Sequence, residues 1–230
     1  MKIRLYILLM LSGAFLTTKA QIVITTPYEF AYGASGGATF SSVSFTPRVL
    51  QSQRPGVTLG LTGRMTMGPH VGLQVELNYA QQGWKEKYED EDGKQIREFE
   101  YDRLTNYAQL PFYTRVQYNL SGENVKWFVL AGPQVGYLIG ESTHDNLNGA
   151  SPGKENRQHG IPVEKKFEWG ISGGLGVELR TGIGYFLIEG RYLFLLGDIY
   201  NTRQEDPFSR AAGQTISAKL SYLIPIKKKP

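Results

Sequence analysis

Three histidines, one acidic run and a set of alternating charges are the residues of this chain with the means to do chemistry. A barrel hydrolase or acyltransferase needs a base held beside a nucleophile or a water. His70 falls in a Gly-Pro-His turn, while His144 and His159 share one long polar segment with Asp145, Glu155 and several serines. Two histidines in one loop are not a catalytic constellation, so no catalytic residue is expected. Glu89, Asp90, Glu91, Asp92 and Gly93 offer hard oxygen ligands suited to Ca²⁺. The run lacks the alternating spacing of an EF-hand loop, however, and Asp-Gly is an ordinary hairpin signal. Neither a metal nor a cofactor is expected. With no cysteine in the chain there is no thiolate site, no disulfide and no lipidated cysteine.

The charges carry more. Arg64, Glu76, Arg115, Glu178, Glu189, Arg191 and Lys219 all fall on the polar parity of alternating segments, a parity also rich in glycine. Residues 57–67 read Val57, Leu59, Leu61, Gly63, Met65, Met67 against Thr58, Gly60, Thr62, Arg64, Thr66. After the break at residues 68–70, Val71, Leu73, Val75, Leu77 and Tyr79 alternate with Gly72, Gln74, Glu76 and Asn78. Strand side chains point to opposite faces with period two, so each segment has one apolar and one polar face. The pair is a predicted hairpin.

Six more such segments make eight: 30–43, 109–118, 127–140, 167–180, 186–194 and 216–224 join the two above. Their connections alternate between short turns (68–70, 119–124, 181–184) and long polar stretches (44–55, 85–103, 141–166, 197–212). The loop at 141–166 reads as mobile. This is an up-and-down meander. Pro111 and Pro133 interrupt it, since proline cannot donate to a ladder; a bulge at either would exchange the two faces beyond it.

Ahead of the meander, Lys2 and Arg4 precede an apolar run from 5 to 16 and small residues up to Ala20, the pattern of a signal peptide cleaved after Ala20. The run is too short for a membrane helix, which needs roughly 20 apolar residues. Residues 21–230 then form one barrel domain. Losing Lys2, Arg4 and Lys19 and no acid leaves 22 basic and 21 acidic residues, so the basic isoelectric point says nothing of nucleic acid. No nucleic-acid partner is expected.

Two barrels fit a meander, and each is the other turned inside out. A soluble lipocalin-type barrel buries the apolar parity, whereas an outer-membrane barrel shows it to lipid. Three features favour the second. Glycine weakens a solvated strand, but in a narrow lumen it makes room for long charged side chains that pair across it. Aromatics lie on the apolar parity near both strand ends: Tyr118, Trp127, Phe186 and Tyr222 by the short turns, and Tyr79, Tyr137, Trp169, Tyr192 and Phe194 towards the long loops. These are expected girdles at the membrane interfaces. A secreted chain with short turns at one end and long loops at the other also matches periplasmic turns and extracellular loops.

The segments 73–84 (LQVELNYAQQGW), 107–118 (YAQLPFYTRVQY) and 128–140 (FVLAGPQVGYLIG) resemble the PorT-like outer-membrane β-barrel family of Bacteroidetes, small barrels of the OmpA/OmpX kind. The resemblance implies an eight-stranded barrel and, through the member that names the family, a link to protein secretion across the outer membrane. The expectation is an all-β, eight-stranded antiparallel up-and-down transmembrane β-barrel in the bacterial outer membrane. It would be a non-enzymatic scaffold or interaction protein. Its partners would be outer-membrane lipid and possible proteins met through extracellular loops or secretion machinery. A secretion accessory, a narrow pore and a barrel hydrolase are the alternatives. The lumenal charges are expected to be a structural ion-pair core, because eight strands enclose little more than their own side chains.

Overall fold

The computed structural model describes residues 28–89, 95–96, 99–147, 158–201 and 208–226. The expected signal peptide and residues 90–93 of the acidic run lie outside them.

Eight long strands carry the fold: β1 (Tyr28–Thr46), β2 (Arg54–Met67), β3 (Val71–Glu86), β4 (Tyr101–Ser121), β5 (Val125–Asp145), β6 (Phe167–Thr181), β7 (Gly184–Asp198) and β8 (Arg210–Ile226). Each pairs antiparallel with its chain neighbour, and β1 pairs with β8 from Phe30↔Ile226 to Thr46↔Arg210. The sheet is therefore a closed ring with no free edge along its span. Gly68 (φ 64°) and Gly122 (φ 58°) take the left-handed backbone that two of the tight turns require.

The apolar parity faces out. Leu61, Leu175, Ile188 and Leu220 are each more than 60% exposed, while Arg64, Glu76, Glu178 and Glu189 on the opposite parity are at most 3% exposed. A soluble barrel would show the reverse. Among the described residues there is no helix long and apolar enough to cross a membrane; the strands do the crossing. Lumenal glycines make room as the charge pattern implied. A Cβ on Gly174 would meet the Arg191 side chain at 2.8 Å, and one on Gly136 would meet the Glu168 carboxylate at 2.5 Å.

Neither proline makes a bulge. Leu110↔Val135, Pro111↔Gln134 and Thr114↔Ala131 hold one register, as do Gly132↔Ser172, Pro133↔Ile171 and Gln134↔Gly170, so the faces do not exchange. The β4–β5 register shifts instead between Asn106 and Tyr107 and between Asn119 and Ser121.

The long connections also depart from expectation. β4 and β5 have 21 residues each, about twice what a tilted strand needs to cross hydrocarbon. Residues 101–106 pair with 140–145 beyond the aromatics Tyr79 and Tyr137. Above the barrel these strand ends and the connections gather a second apolar core. Trp84, Tyr101, Tyr107 and Phe208 are at most 2% exposed there, packed with Phe45, Val163 and Tyr200. Phe45 contacts Trp84 edge-on at 5.4 Å and Phe208 at 4.8 Å. Residues 158–163 of the loop read as mobile contribute Val163 and Ile161 to this cap.

The outward band generates a direct test. Leu175 lies between Trp169 on β6 and the level of Trp127 and Phe186, which pair with Val177 and Leu179 from the neighbouring strands, so Leu175→Arg should lose about 2–4 kcal/mol in bilayer vesicles. Denaturant titration measures that loss, and Leu175→Ile should show almost none.

Candidate functional site

The inward faces of β3, β6 and β7 hold five buried carboxylates: Glu178 nearest the short turns, Glu76 and Glu189 above it, then Glu168, and Glu86 at the cap. Period two puts each on the polar parity; closure removes each from water.

Glu178 is the lowest. It accepts hydrogen bonds from Arg64, from Arg115 Nη2 at 2.5 Å and from Arg180 Nε at 2.8 Å. The guanidinium of Arg115 also lies 3.7 Å from the Phe128 ring centroid, and those of Arg64 and Arg180 lie over Tyr185 at 5.3 and 4.6 Å. These rings belong to an inner apolar cluster of Ala31, Tyr113, Phe128, Leu130, Tyr185, Leu187 and Leu223.

Glu76 is the hub. Arg191 grips it in bidentate fashion, Nη2 to Oε1 at 2.6 Å and Nη1 to Oε2 at 2.8 Å. Lys219 Nζ donates at 2.8 Å, Gln74 Nε2 at 2.7 Å and Asn78 Nδ2 at 3.0 Å. Arg191 Nη2 also donates to Glu189 at 2.7 Å, so two cations face two carboxylates and the cluster is neutral. A cavity of about 30 Å³ remains beside it, between Asn78, Gln109, Gln134 and Lys219, room for about one water.

All seven charged residues singled out in the sequence thus fall into two groups: Arg64, Arg115 and Glu178, and Glu76, Glu189, Arg191 and Lys219. Arg180 and Tyr113 share the polar parity but were not singled out as members of a group, and Glu29, Phe128 and Tyr185 carried no such mark; Glu29 and Arg180 border the lower group. A ring beside an inward guanidinium was a signal within reach, because Arg and aromatic faces attract. Glu168 was not singled out either; it is buried and accepts a hydrogen bond from Gln109 Nε2 at 2.7 Å. No cation pairs with Glu168 among the described residues.

Of the nine aromatics assigned to girdles, Tyr79, Tyr118, Trp127, Tyr137, Trp169, Phe186 and Tyr192 are exposed on the outer wall. Phe194 and Tyr222 are half-buried there, Tyr222 against Phe186 and Phe194 beneath the Arg210 guanidinium.

Glu86 anchors the cap. It accepts from Trp84 Nε1 at 3.1 Å, Tyr88 Oη at 3.0 Å and Gln158 Nε2 at 2.7 Å, and His159 Nε2 lies 2.8 Å away. The His159 ring stacks on Tyr101 with centroids 4.1 Å apart. His144 sits exposed on β5, opposite Asp102. His70 stacks against Tyr118 in its turn. The three histidines do not converge, and no serine bonds to His159 among the described residues. Burial, reinforced by the Glu86 carboxylate, pushes the Tyr88 phenol well above its ordinary value, and burial does the same for Tyr200.

Two tests follow. Glu76→Ala leaves two buried cations to the one carboxylate of Glu189 and should cost about 3–5 kcal/mol, whereas Glu168→Gln replaces a carboxyl that no cation pairs with among the described residues and should change stability by less than about 1 kcal/mol. The unfolding midpoints of the two variants in denaturant measure the contrast. For the cap, phenols raised on folding favour the native state fully below the ordinary tyrosine value of about 10 and lose that contribution as pH rises through their folded values. Alkali should therefore loosen the cap, and phenolate absorbance of Tyr88 and Tyr200 should appear only together with protease cleavage near residue 88.

A profile of the family described as outer membrane protein beta-barrel domain matches residues 19–201. None of the curated proteins matches the chain. Among solved structures, the outer membrane protein OprG from Pseudomonas aeruginosa superposes with a TM-score of 0.50 at 10% identity, covering 88% of this chain and 98% of its own. Ail, the attachment invasion locus protein of Yersinia pestis, solved with the heparin analogue sucrose octasulfate, gives 0.41 at 14% identity over 85% of this chain and 99% of its own. Neisserial surface protein A gives 0.38 at 13% identity, over 84% and 97%. At such identities the likeness concerns the fold alone.

Proposed function

The chain belongs to the outer membrane protein beta-barrel domain family, and from that premise we propose that it is a plugged, non-conducting barrel of the bacterial outer membrane that acts through its structured long-loop end as a non-enzymatic scaffold or interaction protein. The observation that carries this reading is the filled lumen: two ion-pair groups, Glu76 with its five donors and Glu178 with its three, stand across a ring only eight strands wide, and the Trp84 core lies above them. Eight strands leave space for side chains and little else, so ions find no continuous water path. The exposed aromatics at both ends of the outer wall serve as the membrane girdles, with the short turns in the periplasm and the cap outside.

The finer reading, a PorT-like accessory of protein secretion in Bacteroidetes, draws its support from residues 73–140 alone. It needs a protein docked on the barrel. The scaffold reading needs a partner at the capped end, and a rigid platform with polar loops is where such contacts are made.

Reconstituted in planar bilayers, the mature protein should give no steady conductance, and large sustained channels would refute the plugged lumen. Cross-linking from the cap in native membranes should recover a protein partner; components of secretion machinery among the products would favour the finer reading.

A further inference from the structure

Among the described residues, the short-turn end has no apolar core like the one at the capped end. A pocket of about 370 Å³, within the range of small-ligand sites, lies between the first turn and the ends of β1, β2, β4, β5 and β6. Glu29, Thr66, Pro69, Gln117, Lys126 and Arg180 line it. Its lining is unbalanced in charge: Lys126 and Arg180 stand against the single carboxylate of Glu29, while Glu178 beneath is already shared by Arg64, Arg115 and Arg180. Lys126 makes no hydrogen bond or ion pair among the described residues. Arg180 spends Nε on Glu178 at 2.8 Å and its Nη1 lies 3.7 Å from Glu29, but its Nη2 is buried with no acceptor.

Two further groups sharpen the chemistry. Thr66 and Gln117 are more than nine-tenths buried, border the pocket, and leave Thr66 Oγ1 and Gln117 Oε1 without partners. The Gln117 amide nitrogen already donates to the Pro69 carbonyl at 3.2 Å, so its oxygen is what remains to accept. A bare anion would satisfy the cations and set itself against that oxygen. A carboxylate with a neighbouring N–H satisfies both.

We propose that this pocket binds the terminal carboxylate of another polypeptide. The carboxylate takes the Lys126 ammonium, Arg180 Nη2 and the Thr66 hydroxyl, and the last peptide N–H donates to Gln117 Oε1. Inorganic phosphate has no such N–H, and turning a P–OH to that oxygen leaves it fewer anionic oxygens for the two cations. That the ligand comes from the periplasm rests on the orientation proposed above; the recognition chemistry does not.

The test uses the full mature chain refolded in detergent, titrated by calorimetry with N-acetyl-alanyl-alanine, with the same dipeptide bearing a C-terminal amide, and with inorganic phosphate. Saturable binding of the acid is expected, at least about tenfold weaker for the amide, for phosphate and for Lys126→Gln, in line with the loss of a charge-assisted hydrogen bond. Lys126 holds no partner, so the variant should keep the wild-type unfolding midpoint. Equal affinity for acid and amide, phosphate as tight as the acid, unaltered affinity in Lys126→Gln, or no binding would overturn the proposal. So would binding seen only after residues 227–230 are deleted, because the occupant would then be the chain's own tail. None of these outcomes bears on conductance, so the plugged-lumen reading stands or falls separately.

Discussion

Pairing of β1 with β8 closes the sheet, and the rest of the molecule depends on that closure. Hydrocarbon offers nothing to an unpaired N–H or C=O, so the ring has to be complete. A ring of eight strands has an interior the width of its own side chains. Every charge on the inner parity is then out of water, where a lone ion is untenable. Glu76 with two cations and two amides, and Glu178 with three guanidinium groups, are what that restriction leaves. Glycines on the same face are its counterpart, since Gly174 leaves the space Arg191 fills.

The two ends of the barrel solve different problems. At the long-loop end the strands continue past the outer aromatics, and their upper inner faces can no longer be shielded by a neighbouring wall alone. Trp84, Tyr101, Tyr107, Tyr200 and Phe208 gather there into a core fed by segments from across the chain. Glu86 is tolerated in that core because Trp84, Tyr88 and Gln158 all donate to it, with His159 beside it. Among the described residues the short-turn end has no such core, and the pocket there is lined by two cations and one carboxylate.

Much of the barrel was legible from alternation. Val71 to Tyr79 outward and Gly72 to Asn78 inward hold in the structure, where Arg64, Glu76, Arg115, Glu178, Glu189, Arg191 and Lys219 are buried. The cap was not legible. Its aromatics are scattered through stretches rich in charge and glycine, with neither period two nor period 3.6 to mark them, and their contacts join residues as distant as Phe45 and Phe208. The inner aromatics were hidden differently: Phe128 and Leu130 are apolar residues on the polar parity, and on a strand apolar on both faces alternation loses its contrast.

The sequence by itself determined the number of strands and which residues share a face, because the strand period is a local property of the backbone. Tertiary structure alone decided which charges meet. Glu76 reaches Arg191 and Lys219 across 115 and 143 positions, while Glu168, on the same parity, reaches no cation among the described residues. That outcome depends on the register around the closed ring, which brings together strands that are far apart in the chain. No local pattern encodes it.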